Sequence, residues 1–134
     1  MQVQIAALCD SAAVYQDKLC LMGAFDTIGT RQFPAVHPYC SLALRIIFND
    51  TDEGKHQLKI SLIDEDGRNL LPKIESNLDI RIPENMFFAT TNLVINLQGM
   101  KFEKGGQYSI DAMLDGNIIA RVPLQVVQVQ QSQK

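Results

Sequence analysis

The stretch KFEKGGQYSIDAMLDGNIIARVPLQVV, residues 101–127, decides the fold class. Tyr108, Ile110, Ala112 and Leu114 alternate with Ser109, Asp111 and Met113. A period of two puts one set on a core face and the other toward solvent. The run stops at Asp115-Gly116-Asn117. Asp-Gly between two alternating runs marks a hairpin, because a type I′ turn needs positive φ at its central residues. The return strand places Ile118, Ala120, Val122, Leu124 and Val126 on one face and Pro123 on the other. Proline cannot donate to a ladder, so the strand is an edge or bends there. Upstream, Gly105-Gly106-Gln107-Tyr108 is a glycine turn followed by a tyrosine. It has the form of a tyrosine corner, in which the phenol bonds to backbone a few residues earlier; the other reading is an ordinary core tyrosine.

The same period recurs toward the N-terminus. Gln2–Asp10 reads as a strand with Val3, Ile5, Ala7 and Cys9 on one face, followed by a short connection at Ser11–Gln16. Lys18–Ile28 is a second strand, and Gly23 in its middle predicts a bulge or a close backbone approach. Gly29–Pro38 reads as a loop. Tyr39–Phe48 directs Leu42, Leu44, Ile46 and Phe48 inward, and His56–Ile63 directs Leu58, Ile60 and Leu62 inward. Ile74–Ile82 and Thr90–Phe102 complete the set, the latter with Leu93, Ile95 and Leu97 inward. Seven to eight short strands separated by turns, with no convincing helix, predict an all-β, immunoglobulin-like antiparallel β-sandwich, with a small β-barrel as the alternative. Residues 1–127 form a single domain in this reading, and 128–134 a C-terminal tail.

Composition narrows the function. The chain has 134 residues, is 46% hydrophobic and carries a formal net charge of -3. That is the balance of a globular domain, without the basic stripe that nucleic-acid binding requires. No apolar run is long enough to span a bilayer, and the N-terminus lacks the basic start of a signal peptide. Three cysteines without such a signal predict reduced thiols and a cytoplasmic location.

Few residues suggest chemistry. Asp50, Asp52 and Glu53 precede one strand, and Asp64, Glu65 and Asp66 follow it. About eight extended residues, roughly 26 Å, separate the two groups, so they cannot share a cation and read as turn residues. His37 and Cys40 are three residues apart, but no C-x-x-C and no third orienting residue accompanies them, so neither a zinc site nor a Cys-His nucleophile is expected. There is no G-x-S-x-G, P-loop or G-x-G-x-x-G. The expectation is a non-enzymatic protein without cofactor or metal. The apolar loop residues Met86, Phe87 and Phe88 stand out. Exposed, they would form a partner-binding patch of a kind rarely left uncovered on a monomer; otherwise Phe87 or Phe88 plugs the open end of the sandwich. With Val94, Ile119, Val127 and Val129 on nominally outer faces, they form a candidate interaction surface.

The runs VQIAALCD (3–10), KLxLMGAFDTI (18–28), HPxCSLALR (37–45), IDEDG (63–67) and GxYSID (106–111), with LDG and the Pro123-Leu124 return strand, resemble a family of small bacterial proteins labelled only as a domain of unknown function. The resemblance covers nearly the whole chain. It implies a standalone bacterial protein and transfers no catalytic residue or ligand. The leading expectation is a protein–protein interaction or assembly module, as a homo-oligomer or with another protein, and without nucleic-acid or membrane partners. The alternatives are a small-molecule or carbohydrate binding module and a Cys/His-dependent enzyme.

Overall fold

A computed structural model of the protein describes residues 1–130. Among the described residues there are nine strands: β1 (Gln2–Tyr15), β2 (Lys18–Ala24), β3 (Thr27–Thr30), β4 (Ala35–Phe48), β5 (Gly54–Ile63), β6 (Ile74–Ile80), β7 (Ala89–Phe102), β8 (Gly106–Leu114) and β9 (Asn117–Gln128). The one helical element among the described residues is a 3-10 turn at Asp50–Asp52. The strands form a four-stranded sheet, β2-β1-β4-β7, and a five-stranded sheet, β3-β9-β8-β5-β6. The two sheets enclose one core, the expected all-β sandwich, with one or two strands more than the sequence pattern resolves.

The β8–β9 hairpin follows its sequence. Asp115 and Gly116 take φ of 52° and 84°, and Leu114 pairs with Asn117 around them. Tyr108 makes the corner: its hydroxyl donates to the Lys104 carbonyl at 2.6 Å. A Cβ on Gly105 would lie 3.0 Å from the Val126 carbonyl oxygen, so glycine lets the corner close against β9. Tyr108→Phe is expected to cost about 0.5–1.5 kcal/mol, the net worth of one hydrogen bond, read as a shift of the urea midpoint at unchanged slope. Pro123 lies where β9 has a neighbour on one side only, because β3 pairs no earlier than Gln125.

The core centres on β4 and β5, where Leu42, Leu44, Ile46, Phe48 and Leu62 are fully buried. Phe102 of the four-stranded sheet meets Tyr108 of the five-stranded sheet edge-on, ring centroids 5.0 Å apart.

Three expectations are corrected. Ser11–Gln16 is not a connection: β1 continues to Tyr15, and the turn is Gln16-Asp17, both at positive φ. The face Val3-Ile5-Ala7-Cys9 does not hold, because the β1–β4 register shifts between Val3 and Ile5. Leu8 then enters the core and Ala6 packs against it. The segment read as a loop at 29–38 contains part of β3, which pairs in parallel with β9, and the first residues of β4. At the C-terminus β9 runs through Gln128, and Val129 donates its amide to Thr30. The rest of the expected tail, residues 131–134, lies outside the described residues.

Candidate functional site

Met86, Phe87 and Phe88 lie between β6 and β7 and are 60%, 93% and 50% exposed. None of them plugs the sandwich. The loop is held on its N-terminal side, and on the other side β7 begins with Ala89 paired to Phe48. The Met86 amide donates to the Pro83 carbonyl, and Asn85 takes a φ of 70°. Just before Pro83, the Ile82 amide donates to Glu53 Oε2 at 3.1 Å. Polar anchors at its base therefore present three large apolar side chains to solvent. Beneath Met86 and Phe88 runs an open groove of about 450 Å³, with Asp17, Arg45, Arg81 and Thr90 along it.

The other residues of the candidate surface do not all join this patch. Val94 lies on the outer face of β7, half-buried opposite Ala43. Val127 and Val129 are exposed at the end of β9, in the other sheet. Ile119 is a correction. The register slips between Ala112 and Met113, so Met113 pairs with Ile118 while Ala112 pairs with Ala120. Ile119 is the extra residue of this bulge and packs half-buried against the core, while Ile118 is left 46% exposed.

Cys40 is fully buried in the core, and burial pushes its thiol up to about 11. A thiol in that setting is not the thiolate a nucleophile requires. His37 lies 5.5 Å from the Phe25 ring, and its Nε2 is buried without a hydrogen-bond partner. Cys9 is buried and bonds the Ser41 carbonyl, while Cys20 is exposed; all three thiols are free. Among the described residues no group of three or more His, Cys, Asp or Glu could hold a metal ion. Asp64 works locally: it accepts the amides of Arg68 and Asp66, which holds its carboxyl below the usual range.

One constellation has no signal in the sequence. His56 Nδ1 lies 2.6 Å from Asp115 Oδ2, and its Nε2 lies 2.6 Å from the Asp52 carbonyl oxygen. Two acceptors on one ring are satisfied together only by the doubly protonated imidazolium. The Asp115 hydrogen bond, then the Asp52 carbonyl, raise the His56 pKa. The Gln57 amide, then His56, lower that of Asp115. Asp52 is lowered by the Asn49 amide and by the Met1 amine, 3.0 Å from its Oδ2. The His56 ring also stacks on Phe48, centroids 5.9 Å apart. This cluster ties the β8–β9 turn to the 3-10 turn, whose neighbour Glu53 holds the base of the apolar loop. In this arrangement a backbone carbonyl occupies the nitrogen a general base would use.

No helix of the described residues is long and apolar enough to cross a membrane. Among solved structures, the chain is similar to the Pseudomonas fluorescens alkylpurine DNA glycosylase AlkC bound to DNA containing an abasic site analog. That likeness has 8% identity and a TM-score of 0.47, and covers 91% of this chain but only 31% of that one. No curated protein matches the sequence. A family model described as "Family of unknown function (DUF6941)" matches residues 4–127, nearly the whole sandwich, and the chain belongs to that family.

Proposed function

We propose that the protein is a non-enzymatic binding or assembly module of the cytoplasm that acts by protein–protein contact through Met86, Phe87 and Phe88. The observation that carries this is the 93% exposure of Phe87 on a loop hydrogen-bonded at Ile82 and Met86 before it and joined to β4 at Ala89 after it. A large aromatic on a pre-ordered loop loses little freedom on binding and buries much apolar area, which is the profile of an interface anchor. The exposed free thiol of Cys20 suits a reducing compartment.

Phe87→Ser tests the reading, because a packing role and a binding role move different readouts. Its side chain touches little, so folding stability should stay within about 0.5 kcal/mol of the parent. Association should weaken by at least about 2 kcal/mol, the scale for truncating an anchor residue. The partner is captured by photo-crosslinking in cells, with the photoreactive residue at position 87 of the otherwise unchanged chain and a control at exposed Gln125, and its affinity is then compared between the parent and Phe87→Ser. A discrete protein adduct from position 87 but not 125 is the expected result. Adducts equal at both positions, or at neither, remove the proposal.

A further inference from the structure

The two sheets have four edges: β3 and β6 in one, β2 and β7 in the other. An open edge presents unpaired backbone groups to any extended chain, and proteins blunt it with shortness, charge or a kink. Three of the four are blunted. β3 is four residues long. β6 carries Glu75 and Asp79. β2 begins at Lys18 and is kinked at Gly23, where φ is 72°. β7 is different. It is fourteen residues long, and Ala89–Met100 contains no charge and no proline. The first irregularity is Gly99, at a φ of 64°, so ten residues, Ala89–Gln98, run about 34 Å as an uninterrupted edge. Its inward side chains are also under-covered. Leu93 and Ile95 are only partly buried, while Leu42 and Leu44, their β4 partners, are fully buried.

We propose that the β7 edge is a homodimer interface. A second copy of this chain adds its own β7 in antiparallel register about a two-fold axis near Val94, joining two four-stranded sheets into one of eight. The proposal deepens the protein-contact reading above by naming the partner. The lack of charge suits a second copy. In an antiparallel self-pairing each residue meets one from the other half of the same strand, so a central charge would meet its own sign. With the axis at Val94, Asn92 faces the partner's Asn96 and Leu93 faces the partner's Ile95. No charge falls anywhere in the paired run, and the alternation of polar outer and apolar inner residues is self-complementary. The outer face is held for this pairing. Asn92 bonds Arg45 and the Asp17 carbonyl, and Asn96 accepts from Tyr39 and Ser41. The contact satisfies both copies' open edges and covers Leu93 and Ile95 on each. The apolar loop directly precedes Ala89, so it lies at the ends of the paired strands, against the far part of the partner's β7.

Light scattering on the full chain, from low to high micromolar concentration, gives the mass. A dimer at twice 15.0 kDa is expected; a monomer throughout overturns the proposal. Val94→Lys places two like charges at the axis and should leave a monomer, while Met22→Lys on the β2 edge should remain dimeric. Folding is controlled by charge exchange: Val94→Lys mixed with Val94→Glu should restore a heterodimer, which a misfolded variant could not do. A dimer that survives Val94→Lys overturns the edge proposal. If that dimer falls to Phe87→Ser instead, the loop reading stands without it.

Discussion

Replacing Phe102 with alanine is expected to cost about 3–5 kcal/mol, the range for deleting a buried aromatic. The ring is fully buried at the end of β7 and meets Tyr108 edge-on across the two sheets. Its loss removes the transfer energy of the ring, leaves a cavity between sheets that are tied elsewhere, and strips the corner tyrosine of its packing partner. Against a total stability of about 5–15 kcal/mol, this is about a fifth or more of what holds the domain together. Urea unfolding gives the measurement. A loss under about 1 kcal/mol would mean that Phe102 is not the inter-sheet contact described.

The second large effect is on the pH dependence of stability. His56 has a raised pKa in the folded state, so its contribution is full below the unfolded imidazole value, about 6.5, and is lost as pH rises through the folded one. Asp115 has a lowered pKa, so its contribution is full above the unfolded carboxylate value, about 3.9, and is lost as pH falls through the folded one. Stability from this pair should therefore plateau between about pH 4 and 6.5. Above the plateau a neutral ring leaves one of two close acceptors without a proton, either the Asp115 carboxylate or the Asp52 carbonyl. The groups around the ring are Asp115, Asp52 with the Met1 amine beside it, Lys55 next to it on β5 and Asp79 on the flanking β6. The expected result is a urea midpoint lower at about pH 8.5 than at about pH 5.5. In His56→Phe, which keeps an aromatic ring on Phe48 but cannot titrate, that difference should shrink. An equal fall in both proteins would place the titration elsewhere.

Legibility in the sequence followed locality. The turn at Asp115-Gly116 and the corner at Tyr108 could be read because a few adjacent residues dictate their geometry. The inward faces of β4 and β5 could be read because every second residue is large and apolar from Leu42 to Phe48 and from Leu58 to Leu62. Parity failed where a bulge added a residue without any glycine or proline to mark it. That happened at Val3–Ile5 in β1, and opposite Ala112–Met113, where Ile118 and Ile119 exchanged places. The same limit applies to the site. The apolar character of Met86–Phe88 is plain in the sequence, but the contact that holds the base of their loop joins Glu53 to Ile82, 29 residues away. The His56–Asp115 contact spans 59 residues, and each partner alone looks like an ordinary turn or strand residue.

The parallel pairing of β3 with β9 has a consequence for how the chain is made. Thr27 and Gln125 are 98 residues apart, so β3 can find its neighbour only after almost everything else has been synthesised. At about 5–20 residues per second, the segment waits about 5–20 s for its partner. Closing so long a loop is also an entropic burden that local contacts cannot relieve early. What is left open during that interval is Thr-Ile-Gly-Thr, four residues with a glycine and one large apolar side chain. A segment so short and polar is a poor template for aggregation. The last seam of the sandwich is thus the one that can safely stay unsealed on the ribosome.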